Sequence, residues 1–236
     1  MKKIFVAGSS GFIGHHFVNE ALKQGYKITA LTPKLSASRL TAHRNLEILE
    51  GTILNPVTLN EFMAGSDYAV STIGDFDEYD PDLYMHDFRE RGTKNVITAA
   101  KKNHIKKTLV LLGAPVLRSK DGTRIIDLAY SSAHIAELGE DIGQAKSMFE
   151  TMLLLQQSDI NWTAFCPGTV TNDEKTGQYQ LQEGELCGYY GGEKVAVGDL
   201  INAMLTELKE DKFKGKLLGI KTKESHSFFN FFQNLK

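Results

Sequence analysis

Two cysteines in 236 residues, Cys166 and Cys187, are too few for a disulfide scaffold, and free buried thiols are the commoner arrangement in a chain this long. Positive charge is not in excess. The 27 Lys and Arg stand against 29 Asp and Glu, so neither nucleic acid nor an acidic membrane surface is a favoured partner. No apolar run approaches the ~20 residues needed to cross a bilayer. After Lys2-Lys3 only Ile4 to Ala7 are apolar before Gly8, too short for the core of a signal peptide, which points to the cytoplasm. The histidines include no set at metal-ligand spacing, so no metal is expected. Gly-x-Ser-x-Gly and the P-loop pattern are both absent, which removes the α/β-hydrolase and P-loop chemistries.

What is present is alternation. Short apolar runs at Ile4–Ala7, Lys27–Thr32, Leu46–Leu49, Tyr68–Ile73, Thr108–Leu112, Trp162–Cys166 and Leu217–Ile220 read as strands. Amphipathic segments at Phe12–Gln24, Pro56–Met63, Tyr84–Asn103, Glu140–Gln157 and Asp199–Leu208 read as helices between them. Asn55-Pro56 reads as an N-cap followed by proline at the first helical position, and Gly25 as a helix-closing glycine. The pattern predicts an α/β fold: a single Rossmann-type, doubly wound parallel sheet with helices on both faces, as a monomer or homodimer. Two stretches, Gly113–Gly139 and Gly168–Gly198, read as long irregular segments following strands, on the substrate side. Asp75, Asp77, Glu78, Asp80 and Asp82 form an acidic, solvated loop. Phe228, Phe229, Phe231 and Phe232 near the end read as a helical stripe that packs on the core or covers a substrate or partner surface.

The first strand runs directly into Gly8-Ser9-Ser10-Gly11-Phe12-Ile13-Gly14, which opens the first helix. A chain that turns this sharply needs glycine's backbone freedom at its first position. A side chain at the middle glycine would block close approach of phosphates, and the third glycine lets helix pack on strand. Backbone N–H groups at the helix start then face an anion, and the helix dipole favours it. Gly8, Ser10, Gly11, Phe12, Ile13 and Gly14 are therefore candidate contacts to a dinucleotide pyrophosphate. His15 and His16 lie beside them, where one of the pair would face the cofactor. The second strand ends Thr32-Pro33-Lys34 with no acid for a ribose 2′-hydroxyl, while Lys34 and Arg39 follow. Cations there suit a 2′-phosphate, so NADP (NADPH) is favoured over NAD.

The spacing Gly-x-x-Gly-x-x-Gly resembles that of the short-chain dehydrogenase/reductase superfamily, and the resemblance continues along the chain. Leu46 to Pro56 resembles the third strand and turn of its atypical members, with Thr52-Ile53 where an acid usually approaches the adenine. Ser66 to Gly74 resembles the fourth strand, which would place Thr72, Ile73 and Gly74 under the adenine ribose. Gly92 to Ile97 resembles the fourth helix, and Lys106 to Ala114 the fifth strand, ending in Gly113-Ala114. Asn161 to Gly168 resembles the sixth strand, whose turn would set Pro167, Gly168 and Thr169 beside the nicotinamide. Thr176 to Tyr179 and Lys194 to Leu200 resemble the NADH-flavin reductase-like and NmrA-like branch.

That superfamily usually carries Tyr-x-x-x-Lys, whose lysine lowers the tyrosine pKa so that the phenol works as acid or base. Here Ile142-Gly143-Gln144-Ala145-Lys146 has the position and the lysine but not the tyrosine. Lys146 is the candidate for a ribose or substrate-anion contact. Tyr130 and His134 carry the alternative pattern, with histidine in place of lysine, and are candidates to donate a proton or stack on a ring. Carbonyl reduction needs a placed proton donor, whereas reduction of a flavin or quinone needs mainly ring orientation. The resemblance therefore implies an NAD(P)H-dependent oxidoreductase acting on a small-molecule electron acceptor of flavin, quinone or similar conjugated type. A non-catalytic NAD(P)-sensing regulator and a nucleotide-sugar epimerase or dehydratase are the alternatives.

Overall fold

The computed structural model describes residues 1–35, 39–74, 88–129 and 141–223. The elements that position the site are, in chain order, β1 (Lys3–Ala7), α1 (Phe12–Lys23), β2 (Lys27–Thr32), β3 (Leu46–Glu50), α2 (Pro56–Met63), β4 (Tyr68–Ser71), α3 (Phe88–Lys102) and β5 (Lys107–Leu111). They continue with a short 3-10 turn (Ala114–Val116), α4 (Ile125–Ala129), α5 (Asp141–Gln157), β6 (Trp162–Pro167), β7 (Thr169–Thr171), β8 (Tyr179–Glu183), β9 (Lys194–Ala196), α6 (Val197–Glu210) and β10 (Lys216–Thr222). The larger sheet has eight strands in the order β3-β2-β1-β4-β5-β6-β10-β8. Every pairing in it is parallel except that of β8 with β10, so the expected parallel sheet carries one antiparallel edge strand. A parallel neighbour needs a crossover, usually through a helix, as α5 gives β6 and α6 gives β10. No helix separates β6 from β8, and β8 takes the antiparallel place at the edge beside β10.

Double winding follows from the two-residue period of a strand. In β1, Ile4 and Val6 pack with Phe17, Val18, Leu200 and Met204, so α1 and α6 cover that face. Phe5 and Ala7 point the other way, into a cluster with Leu59, Met63, Val96 and Ala99 from α2 and α3. Farther along the same face, Val110, Trp162, Ala164 and Cys166 pack on Met152 and Leu155 of α5. These apolar runs lack polar alternation because both of their faces are covered.

The caps explain several boundaries. The Asn55 side chain accepts hydrogen bonds from Val57 and Thr58 N–H, with Pro56 at the first helical position, so α2 begins where the sequence places it. Gly25 sits at φ +84°, and Tyr26 N–H reaches back to Ala21 O while Gly25 N–H reaches Leu22 O, a two-bond helix stop. The stretch Gly168–Gly198, expected to be irregular, instead contains β7, β8 and β9. β7 and β9 pair with each other in a separate two-stranded ribbon. Strands of three residues are too short to show a period in sequence. The expected acidic loop from Asp75 to Asp82 and the phenylalanine stripe from Phe228 to Phe232 lie outside the described residues.

Candidate dinucleotide site at the sheet switch point

The chain moves outward from β1 to β2 and β3, then starts again on the other side of β1 with β4. Open α/β sheets bind ligands at the carboxyl ends of the strands where the order reverses in this way. The glycine turn after β1 and the segment after β4 meet there.

Two of the three glycines are fixed by packing. Gly8 has φ +80°, and a Cβ on it would lie 2.8 Å from the Thr72 carbonyl carbon and from Thr72 Oγ1. A Cβ on Gly14 would lie 2.0 Å from Gly8 O, because α1 starts directly against the turn. Gly11 is different. Its φ of −70° suits any residue, and a Cβ there meets nothing nearer than Gly8 O at 3.4 Å. The turn is held by Ser9 Oγ donating to Leu31 O (2.7 Å) and by Thr72 Oγ1, which lies 3.2 Å from Ala7 O and 3.1 Å from Gly8 O. Thr72 thus anchors the turn rather than simply lining a wall. Gly11 caps α1 without a side-chain hydrogen bond, and no acid occupies the first turn, so the helix itself supplies no anion to its N-terminal N–H groups.

Above this turn lies a cavity of about 320 Å³. Its walls are Gly8, Ser10, Gly11 and Phe12 from the turn, Leu31 and Pro33 from the end of β2, Gly51, Thr52 and Ile53 after β3, and Thr72, Ile73 and Gly74 after β4. Phe88 at the start of α3 and Arg39 complete it. Arg39 is the only charged residue among the described residues that line it. Gly92 lets α3 approach: a Cβ there would lie 2.0 Å from Ile53 Cδ1, and Asn95 Nδ2 donates to Ile53 O at 2.8 Å. These two contacts hold Ile53 at the cavity.

Ten residues expected at the site therefore converge: Gly8, Ser10, Gly11, Phe12, Arg39, Thr52, Ile53, Thr72, Ile73 and Gly74. The others do not line this cavity. Ile13 and Gly14 belong to the first turn of α1, where Gly14 serves packing. Thr32 is buried and its Oγ1 donates to Lys34 O (3.2 Å), while Lys34 is exposed. Strand alternation accounts for Thr32: its neighbours Leu31 and Pro33 take the wall positions instead. The Thr52 hydroxyl accepts from Leu54 N–H (3.2 Å) within its own turn. Glu50 is the acid nearest in sequence, and its Oε2 accepts from Leu35 N–H (2.8 Å).

Gly113 lies under Met148, whose Sδ would be 2.9 Å from an added Cβ, and Ala114 opens the 3-10 turn. Pro167 ends β6, Gly168 rests against Glu193, and Thr169 N–H donates to Glu193 O (3.0 Å). Lys146 is exposed on α5. Tyr130 and His134 lie outside the described residues. Sequence reasoning did not name Leu31, Pro33, Gly51 and Phe88 as wall residues. Gly51 stood inside a matching run and Leu31 inside the second strand, but Phe88 carried no signal, because the helix containing it reads as starting at Tyr84.

Two buried acids shape the segments beyond β6. Asp199, fully buried in the first turn of α6, accepts from Thr176 N–H (2.9 Å), Thr176 Oγ1 (2.7 Å), Gly177 N–H (2.8 Å) and Thr222 Oγ1 (2.8 Å). It ties three chain segments together, which explains the Thr-Gly and Gly-Asp matches without assigning them chemistry. Asp199→Ala is expected to cost about 2 kcal/mol in urea unfolding, since it strands these donors where water only partly replaces the carboxylate.

Glu193 is 3% exposed. Its Oε1 accepts from Gly188 N–H and its Oε2 has no partner among the described residues. Burial pushes its pKa up, against the Gly188 and Cys187 N–H groups and the Lys221 charge. A raised carboxyl pKa favours the protonated form in the folded state, so that stability is present at low pH and lost as pH rises through the raised value. Glu193→Gln is expected to flatten this fall in melting temperature between the ordinary carboxylate range and neutrality. An unchanged slope would contradict it. Cys166 and Cys187 are both free and buried, and burial pushes the Cys187 thiol up to about 11.

A second cleft, of about 550 Å³, opens between His15, His16, Asn19, Glu20 and Lys23 of α1, residues 172–175, and the start of α6. Among the described residues no helix is long and apolar enough to cross a membrane.

Known proteins match this architecture. The profile of a family described as NAD(P)H-binding matches residues 8–210. A chloroplastic protein of Arabidopsis thaliana is 24% identical over 188 residues, which cover 77% of this chain and 64% of that protein's length. The chain thus spans less than two thirds of that relative. A candidate NADH-flavin reductase from Streptococcus pneumoniae superposes with a TM-score of 0.74 at 19% identity, covering 94% of this chain and all (100%) of that one. A short-chain dehydrogenase/reductase from Veillonella parvula, solved in complex with NADP, gives a TM-score of 0.72 at 16% identity, covering 95% of this chain and 96% of that one.

Proposed function

The chain belongs to the NAD(P)H-binding family, and from that premise we propose that it is an atypical short-chain dehydrogenase/reductase working as an NADPH-dependent reductase of flavins, quinones or similar conjugated acceptors. The observation that carries the dinucleotide part is Gly11. Packing explains Gly8 and Gly14, but nothing among the described residues requires a missing Cβ at 11, whereas a pyrophosphate lying over uncapped helix N–H groups does. The residues fit such a group: Ser10, Gly11 and Phe12 would hold the pyrophosphate, and Thr52, Ile53, Ile73 and Phe88 would enclose the adenosine. Arg39 would pair with a 2′-phosphate, and the absence of an acid along the described cavity wall removes repulsion. Arg39 rather than Lys34 is thus the cation behind the NADPH preference. Gly113, Ala114, Pro167, Gly168 and Thr169 would border the nicotinamide, with Lys146 reaching the ribose.

When bound, the dinucleotide supplies a hydride. The protein's part is to orient two rings and keep water from between them. With Ile142 in the usual tyrosine position, no phenol there hands over a proton, and a conjugated acceptor can take its proton from solvent. Tyr130 and His134 are the chain's own candidates for stacking on the acceptor or donating a proton to it. The cytoplasm, which keeps Cys166 and Cys187 as free thiols, is the compartment that goes with this reading. The test is NADPH oxidation by the purified protein across a panel of free flavins and quinones. Acceptor-dependent turnover is the expected result. Tight cofactor binding without turnover on any acceptor would overturn the reductase reading. It would favour a dinucleotide sensor, to which Ile142 also points, and a partner protein whose binding follows the NADP/NADPH ratio would then be expected.

A further inference from the structure

The segment from Gly188 to Glu193 stands at the carboxyl ends of β6 and β10. Its last residue meets the turn after β6: Thr169 N–H donates to Glu193 O (3.0 Å), and a Cβ on Gly168 would lie 3.1 Å from Glu193 Cβ. Its first residue lies by the end of β10, where a Cβ on Gly188 would sit 3.6 Å from Lys221 Nζ. The segment is also closed on itself. Gly188 N–H donates to the buried Glu193 Oε1, and Gly192 N–H donates to Tyr189 O (3.2 Å). Ligands of an open α/β sheet bind at this edge, and the Pro167-Gly168-Thr169 turn is the one expected beside the nicotinamide.

Two neighbouring tyrosines in the segment have opposite fates. Tyr190 packs, part-buried, on the cluster of Leu117 and Leu186 that also takes Met148, the side chain lying over Gly113. Tyr189 is 74% exposed. Its ring nevertheless has a defined seat. A Cβ on Gly192 would lie 2.0 Å from Tyr189 Cζ, 2.2 Å from Cε2 and 2.5 Å from Oη. Such even distances to three atoms of the ring plane put Gly192 against a face of the ring and not an edge. Bare backbone therefore backs one face, and the other is left to solvent.

We infer that the outer face of Tyr189 is the platform on which a flat conjugated acceptor stacks, with Gly192 behind the ring and Glu193 fixing the segment to the Gly168 turn. This rests on the reductase reading given above and adds the acceptor's seat to it. An open aromatic face offers stacking and apolar area to any planar ring system and offers little to an aliphatic carbonyl compound or a sugar. With Ile142 in place of the usual tyrosine, orientation of two rings is the protein's main task, and a backed ring on a tied turn serves it.

The experiment compares the wild type with the Tyr189→Ala, Tyr189→Phe and Gly192→Ala proteins, using riboflavin and menadione as acceptors. Acceptor KM and kcat are measured at saturating NADPH, and riboflavin binding is followed separately by quenching of its own fluorescence. NADPH affinity and melting temperature are recorded in parallel. Tyr189→Ala is expected to raise the acceptor KM and the riboflavin Kd about tenfold, the size of a lost stacking contact. Its melting temperature is expected to stay close to that of the wild type, because the side chain is exposed. Its NADPH affinity is expected to be unchanged, because Tyr189 does not line the dinucleotide cavity. Tyr189→Phe keeps the ring and is expected to stay within about twofold of the wild type. Gly192→Ala pushes the ring off its seat and is expected to raise KM about threefold while the protein stays folded, since an exposed side chain can swing away. If turnover persists and Tyr189→Ala leaves both KM values and the riboflavin Kd as they are in the wild type, the platform is overturned and the reductase reading stands. If riboflavin binds with an affinity that Tyr189→Ala reduces but neither acceptor is turned over, the platform stands and the reductase reading fails. If the wild type neither binds riboflavin nor turns over either acceptor, both fail. A loss of NADPH affinity in step with the rise in KM would show general loosening of the segment and would also overturn the platform.

Discussion

Gly14→Ala is expected to destroy the fold around the first strand, while Gly11→Ala leaves it standing and empties the site. The added methyl at 14 would lie 2.0 Å from Gly8 O and 2.8 Å from both Gly8 C and Thr72 Oγ1. Backbone cannot yield as a flexible side chain can. Relief would require α1 to move off the sheet, taking Phe17, Val18 and Ala21 with it. Overpacking of this kind costs about 3 kcal/mol or more. At position 11 the methyl meets one carbonyl at 3.4 Å, an ordinary contact, and the residue is exposed. Its effect on urea unfolding should stay within about 0.5 kcal/mol. Its effect on dinucleotide affinity should be about tenfold or greater, because the methyl stands where the phosphates approach. The pair separates a packing glycine from a binding glycine. Equal destabilisation by both substitutions would contradict the separation.

The second large effect is expected far from the site. Lys107 begins β5 and is 1% exposed, with its Nζ 2.7 Å from Glu207 Oε1 and 2.6 Å from Asp211 Oδ1. Glu207, itself 3% exposed, also accepts from Thr163 Oγ1 (3.1 Å), Phe213 N–H (2.9 Å) and Lys212 N–H (3.2 Å). Lys107→Met removes the cation and leaves a buried carboxylate, which costs about 3–5 kcal/mol. Glu207→Gln should cost less, because Lys107 keeps Asp211 and the amide keeps part of the hydrogen bonding. The cluster sits at the amino ends of the strands, so both variants should bind NADPH as the wild type does once folded. Chemical unfolding checks the order. A Lys107→Met protein within about 1 kcal/mol of the wild type would show that the carboxylate is relieved by another route.

The parts of the fold that could be read in the sequence are those governed by local chemistry. Unbroken apolar runs marked the central strands because both faces are covered. Asn55-Pro56 and Gly25 marked helix ends because capping is decided within a few residues. The glycine turn could be read as a unit, although its three glycines do different things, and only atomic contacts separate Gly8 and Gly14 from Gly11. Arg39 could be named as a cation, but its place on the cavity wall goes with the packing of Leu40 beside it on the core, which leaves no pattern. Thr32 was misplaced by a single position of strand alternation. β7 and β9 were too short to register, and β8 was hidden in a glycine-rich stretch. Lys107 gave no sign, since its partners Glu207 and Asp211 are 100 or more residues away.

The most direct test is a titration of the purified protein with NADPH and with NADH, followed by nicotinamide fluorescence. Saturable binding of both is the predicted result, tighter for NADPH and weakened by Gly11→Ala without loss of fold. No saturable binding of either dinucleotide up to about 1 mM, with the protein shown to be folded, would contradict it.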